Sequence, residues 1–126
     1  MKEIGIICLV LAAFLAGGGL WAHHSPSAEF DMSKSFSVSG TLMKVDWINP
    51  HIMMLLDVNG EEWKFESNPP AWFRRVGIAR ADFADAIGQK ISVDGVRARD
   101  GSKFGYMLRA KFASGRALEL VREEGK

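Results

Sequence analysis

From Phe36 to Phe112 the apolar and polar residues alternate with a period close to two, the spacing of half-buried β-strands. The first stretch, Phe36 to Trp47, changes face partway: Phe36, Val38 and Leu42 share one parity, and Met43, Val45 and Trp47 share the other. Gly40 lies near the switch, which predicts a bulge or sharp bend there. A long bent first strand can pair with both halves of a small closed barrel. A second strand is expected over His51–Val58 and a third over Glu61–Ser67. Asn59-Gly60 between them is a two-residue hairpin signal, because a type I′ turn needs positive φ at both positions. The resulting register sets Leu56 against Trp63 and Met54 against Phe65 on an apolar face, and Leu55 against Lys64, Met53 against Glu66 and His51 against Asn68 on the other. It also opposes Asp57 and Glu62. A slip by one residue would separate those like charges but break the apolar matching, so the register is kept.

Asn68-Pro69-Pro70 closes the third strand and opens a helix over Ala71–Val76. Asn68 serves as its cap, Trp72, Phe73 and Val76 face inward, and Gly77 ends it. A second helical turn is expected over Ala81–Ile87, with Phe83 and Ile87 on one face and Gly88 ending it. A fourth strand, Lys90–Arg99, shifts parity after Gly95, from Ile91 and Val93 to Val96 and Ala98, again as a bulge would. After a turn through Asp100-Gly101, the fifth strand, Phe104–Phe112, alternates strictly: Tyr106, Leu108, Ala110 and Phe112 inward, Met107, Arg109 and Lys111 outward. Ser114-Gly115 leads into a last short strand, Ala117–Val121, before the charged tail 123–126. Three strands, a helical segment, then two strands and an edge strand match the connectivity of an OB-type barrel. The expected fold is thus mainly β: a small OB-like barrel of five to six antiparallel strands over 35–122, with one short helical segment between strands three and four. An open meander or sandwich with a helical insertion is the alternative.

The first 22 residues do not belong to that domain. Met1-Lys2-Glu3, the apolar run Ile4 to Ala16 and the small-residue stretch to Ala22 have the layout of a secretory signal peptide. The run itself is short of the roughly 20 apolar residues of a membrane span, although counting on to Ala22 keeps an uncleaved anchor as the alternative. Export to the periplasm is therefore expected. Cys8, the single cysteine of the 126 residues, lies in the apolar run, so the exported part has no disulfide, thiolate ligand or cysteine nucleophile to use. The formal net charge is +1, with 16 basic and 15 acidic residues, which argues against nucleic acid as a partner. Cleavage after Ala22, with Leu20 at −3, makes His23 the new N-terminus; cleavage after Gly19 is the competing site.

That N-terminus brings in the sharpest candidate chemistry. An N-terminal histidine offers its α-amino nitrogen and imidazole, and a further histidine completes the tetragonal nitrogen set that copper(II) favours. His23, His24 and His51 are the only three histidines. They are the candidate ligands for copper or another divalent metal, provided the arm 23–34 folds back toward the loop before strand two; Phe30 would anchor that arm. Met53, of the same parity as His51, and Asp31 are additional candidate ligands. Imidazole binds metal only when neutral, so affinity should fall below about pH 6.5. The bland alternative is a solvated histidine pair and a His51 that bonds a loop carbonyl.

A second group is basic. Arg97 and Arg99 are expected on strand four, Arg109 and Lys111 on strand five and Lys103 in the loop between them, with Arg74, Arg75 and Arg80 on the helical segment. An anionic ligand or an envelope protein could dock on such a face. Asp94, Asp100, Glu119 and Glu123 balance it, which favours an ordinary solvated surface. Trp47, Trp63, Trp72 and Phe73 have core spacings. No serine-histidine-aspartate order, phosphate loop or metalloprotease helix is present, so an enzyme is not indicated. A small hydrolase or carrier would need a concave pocket with perturbed groups.

Several segments resemble one family. His23-His24-Ser25, Ala28-Glu29-Phe30-Asp31, Gly40-Thr41-Leu42, Val45-Asp46-Trp47-Ile48-Asn49-Pro50-His51, Trp63-Lys64-Phe65-Glu66, Arg74-Arg75-Val76-Gly77 and Val96-Arg97-Ala98-Arg99-Asp100-Gly101-Ser102 recur in that order. Together they are similar to the bacterial domain-of-unknown-function family 6152, short exported proteins with a histidine pair after the signal peptide. The resemblance implies one exported domain and no assigned activity. Pro26 stands where the family usually has an aromatic, and Lys103-Phe104-Gly105-Tyr106 is bulkier than the family's usual polar segment.

Overall fold

The computed structural model describes residues 26–120. The expected signal peptide, the pair His23-His24 and the charged tail lie outside the described residues. A four-residue helix α1 (Pro26–Glu29) leads into the long strand β1 (Phe30–Asp46), then β2 (Met53–Val58) and β3 (Glu61–Glu66). Helices α2 (Pro70–Arg75) and α3 (Arg80–Ala84) follow, then β4 (Lys90–Ala98), β5 (Phe104–Phe112) and β6 (Ala117–Glu119). No helix among the described residues is long and apolar enough to cross a membrane.

The strands form one sheet in the order β3-β2-β1-β4-β5-β6, and β3 also pairs with β5, which closes β1 to β5 into a barrel. This is the OB-like architecture expected from the element order. All ladders are antiparallel except the closing one. There β3 and β5 run parallel, with Lys64 opposite Phe104, Phe65 opposite Gly105 and Glu66 opposite Tyr106. β6 continues the same edge of β5, with Arg109 opposite Glu119. The hairpin register matches the expectation throughout, the like-charged Asp57 and Glu62 included. Asn59 and Gly60 both have positive φ, 54° and 84°.

β1 pairs with β2 through Thr41–Asp46 and with β4 through Phe30–Thr41, so it serves both halves of the barrel. It starts earlier than the expected Phe36: residues 30–34, which the sequence suggests as a polar arm, lie in the strand, with a register break between Asp31 and Ser35. The face switch also lies elsewhere than Gly40. Met43 is the extra residue, because Leu42 opposes Leu56 and Lys44 opposes Leu55. Gly40 pairs regularly with Ile91 and is needed for another reason: a Cβ there would strike the Asp57 carbonyl oxygen and come within 2.9 Å of Val58.

The expected alternation of β5 fails at Leu108. The β4–β5 ladder passes from Asp94–Arg109 to Gly95–Met107, leaving Leu108 as a bulged residue. Met107, expected outward, is therefore in the main core, whereas Tyr106 and Leu108 join a second cluster with Phe30, Val96, Ala98 and Phe104. The main core runs from Leu56, Phe65 and Val93 to the helical end, where Phe73 and Phe83 meet edge to face at 5.5 Å and Trp47 covers both.

The helices depart from expectation in two ways. Asn68 does not cap α2; Pro69 stands at the cap position and Pro70 opens the helix. α2 starts and ends one residue earlier than expected and α3 ends three residues earlier, so Val76 and Ile87, expected inward, fall beyond the helical face and are exposed. α3 is started by the Ala79 amide donating to the Asp82 carboxylate at 2.7 Å.

The close passage of β1 over β2 generates a first prediction. Gly40→Ala should lower the urea midpoint, at a cost of roughly 1–3 kcal/mol for forcing a methyl against backbone. An unchanged midpoint would mean that the two strands can part there freely.

Candidate functional site

Glu66 and Tyr106 alternate with the core residues Phe65 and Met107, so both point to the outer side of the closing seam. His51 reaches the same place from the β1–β2 connection. Ile52 donates its amide to the Asn68 carbonyl at 3.3 Å, and Ser67 donates to the Ile52 carbonyl at 3.1 Å. These two bonds carry the hairpin one step beyond its regular strands and set His51 beside Asn68, as the register predicts. The His51 Nδ1 then lies against the Glu66 Oε1 in a close pair whose side chains are 26% and 15% exposed.

Tyr106 ties this pair to the rest of the seam. Its ring stands edge-on to His51 at 6.3 Å, and its hydroxyl donates to the Asn68 Oδ1 at 2.5 Å. Asn68 is thus occupied as an acceptor for tyrosine rather than as a helix cap. Phe30, as the anchor expected for the N-terminal arm, packs on Tyr106 at 5.6 Å and on Phe104 at 5.0 Å. Arg99 fastens α1: its amide donates to the Glu29 carbonyl at 2.9 Å, and its guanidinium donates twice to the Ser27 carbonyl, at 3.1 and 3.0 Å.

Burial holds the Glu66 carboxyl above the usual carboxylate range, and the nearby Glu29 charge adds to the rise; His51 and Lys64 act the other way but are outweighed. With Nδ1 of His51 turned to the carboxylate, Nε2 is the ring nitrogen left to act. A carboxylate on one imidazole nitrogen fixes the ring, the arrangement that usually backs a metal-binding histidine.

The other candidate ligands are distributed unevenly. Met53 lies directly across from Glu66 in the β2–β3 ladder, on the outer side of the seam. Asp31 is engaged locally: its carboxylate accepts from the Ser33 hydroxyl at 2.6 Å and the Ser33 amide at 3.0 Å, which holds its pKa low, with Lys34 adding to the effect. No three histidine, cysteine or acidic residues gather into a metal-sized cluster among the described residues.

The basic residues do not form one patch. Arg97 lies opposite Gly105 and Arg109 opposite Asp94, so the two arginines sit at different levels of the ladder. Arg97 donates to the Gly101 and Ser102 carbonyls and lies over the Trp63 ring at 5.0 Å. Arg99 holds α1, Lys103 pairs with Glu61 at 2.8 Å, and Arg109 pairs with Glu119 at 2.7 Å. Lys111, opposite Ser92, forms no ion pair among the described residues.

The fold and this seam define a small OB-like barrel with a histidine–glutamate pair on its closing edge. The family model described as "Family of unknown function (DUF6152)" matches residues 11–107, and the chain belongs to that family. No curated protein matches the sequence. Among solved structures, it is similar to a ZRD-deleted mutant of TiaS in complex with agmatine (17% identity, TM-score 0.48, 68% of this chain and 26% of that one). It is similar also to TiaS in a complex with transfer RNA and ATP (17% identity, TM-score 0.46, 73% of this chain and 20% of that one). The chain spans about a quarter or less of those proteins. A likeness this distant transfers no activity.

Glu66 yields a second prediction. A carboxyl whose pKa is raised by folding stabilises the fold below its ordinary value, about 4.3, and loses that contribution as pH rises through the raised value. Gln at 66 keeps an acceptor for His51 without a charge to bury. Urea midpoints of Glu66→Gln and wild type should therefore diverge with rising pH, the variant gaining relative stability toward neutrality. A variant that instead loses ground as pH rises would show that the fold favours the ionised carboxylate.

Proposed function

We propose that this chain is an exported, periplasmic binding protein for a divalent metal, copper(II) foremost, held by His51 and the mature N-terminal histidines His23 and His24. The single observation behind this reading is the orientation of His51: its Nδ1 is committed to Glu66, which leaves Nε2 for a ligand. Phe30, which packs on Tyr106, follows His24 by six residues, and four of the intervening positions, Pro26–Glu29, are helical, at about 1.5 Å per residue. Copper(II) binding requires that His24 come back to His51 from a segment pinned by Phe30 and Arg99. The N-terminal amine and His23 would add the nitrogens that a tetragonal ion needs. Met53, across from Glu66, is the nearest soft donor in register. Asp31 has less support, because Ser33 already occupies its carboxylate.

The alternative, an interaction module that engages an envelope protein or anionic ligand through Arg97, Arg99, Lys103, Arg109 and Lys111, has weaker support. Four of these five already have partners within the fold.

The test is titration of the processed protein, with its N-terminus confirmed by intact mass as His23, against copper(II) at pH 7. Uptake of one ion is expected. His51→Ala should weaken it at least about tenfold, Glu66→Ala about 10- to 100-fold, and binding should decline below about pH 6.5. Absence of uptake by protein starting at His23 ends the metal reading. Uptake indifferent to His51→Ala would confine the site to the N-terminus alone.

A further inference from the structure

The large apolar residues that the fold leaves exposed among the described residues are Met43, Ile48, Val76 and Ile87, at 55, 53, 50 and 46%. They come from four segments, and all four lie around the helical end of the barrel. Met43 follows Leu42, whose backbone bonds to Gly88 and Gln89 at 2.8 and 3.0 Å, which sets the bulge of β1 alongside Ile87. Ile48 follows Trp47, whose ring lies 5.5 Å from Phe73 and 5.8 Å from Phe83. Val76 donates its amide to the Phe73 carbonyl at the end of α2. Exposed apolar side chains scattered singly need no explanation, but a gathering at one end does.

The charge around them is lopsided. Lys44, Arg74, Arg75, Arg80 and Lys90 belong to these same segments and are exposed, against Asp46, Asp82 and Asp85. Asp46 pairs with Lys44 at 3.1 Å, which takes one base and one acid out of the balance together, and Asp82 pairs with Arg116 at 3.0 Å. Five bases against three acids give these segments a local excess of two positive charges, in a chain whose net charge is +1.

We propose that this end of the barrel docks on an anionic phospholipid surface. Protruding apolar side chains set among lysine and arginine match the headgroup boundary, where the chains enter the apolar layer and the bases meet phosphate. The residues project from turns and a bulge rather than line a groove, which suits a soft planar surface better than a peptide segment. The proposal is independent of metal binding at His51, on the closing seam.

The experiment is co-sedimentation of the processed chain with vesicles of equimolar phosphatidylglycerol and phosphatidylcholine, and with vesicles of phosphatidylcholine alone. Binding to the anionic vesicles should exceed that to the neutral ones by about tenfold or more and weaken as salt rises. Ile48→Glu with Ile87→Glu should abolish it. So should Arg74→Glu with Arg80→Glu, which keeps every apolar side chain; thermal midpoints near wild type would show both variants folded. Equal sedimentation with both vesicle types, or binding unchanged in either folded double variant, would overturn the proposal. So would a concentration-dependent dimer that Ile48→Glu with Ile87→Glu dissolves in a protein that ignores vesicles, since the face would then cover a second copy.

Discussion

The barrel depends on one short parallel contact. Three residues of β3 meet three of β5, and the Lys64 amide adds a bond to the Lys103 carbonyl at 3.0 Å. Parallel pairing is slightly weaker per residue than antiparallel pairing, and so short a ladder would not hold two sheet edges by hydrogen bonds alone. Packing on both sides of it does the rest. Inside, Phe36 and Phe65 stack at 5.8 Å above Gly105, where a Cβ would come within 2.7 Å of the Phe36 ring. Outside, Tyr106 is wedged between Phe30 and His51 and bonded to Asn68. The exposed Lys103–Glu61 pair at one end adds little, as surface ion pairs usually do.

The candidate site is a consequence of that closure. Glu66 and Tyr106 come from strands far apart in sequence, and only the closing contact makes them neighbours. Closure takes Glu66 partly out of water beside another acid, Glu29, and His51 offsets only part of that cost. The same contact holds the ring of His51 through Nδ1 and leaves its second nitrogen for a ligand. The N-terminal segment lies over the outer side of the seam through Phe30 and is latched by Arg99. Residues that stabilise the fold and residues that would present a ligand are therefore the same small set.

How much of this is legible in the sequence depends on range. The hairpin from Met53 to Glu66 is local; its turn residues and alternating faces specify it, and its register holds pair by pair. The approach of His51 to Asn68 follows from that register. Glu66 as the partner of His51 is within reach too, since the same register sets Met53 opposite it. Tyr106 is not, because its position needs the closure and the bulge at Leu108, and the pattern of β5 reads as unbroken alternation. Arg99 looks like a surface cation because its acceptor is the Ser27 carbonyl, and backbone acceptors leave no trace in composition. Val76 and Ile87 read as core positions because apolar spacing does not report where a helix stops.

Seam closure fixes His51 through Nδ1 and leaves Nε2 for a ligand. The most direct measurement is the nitrogen-15 NMR spectrum of the imidazole rings in the folded protein near neutral pH. The account predicts that neutral His51 carries its proton on Nδ1, with an unprotonated Nε2, and that this preference disappears in Glu66→Ala. A His51 protonated on Nε2, or one that exchanges freely between both forms in the wild type, would contradict it.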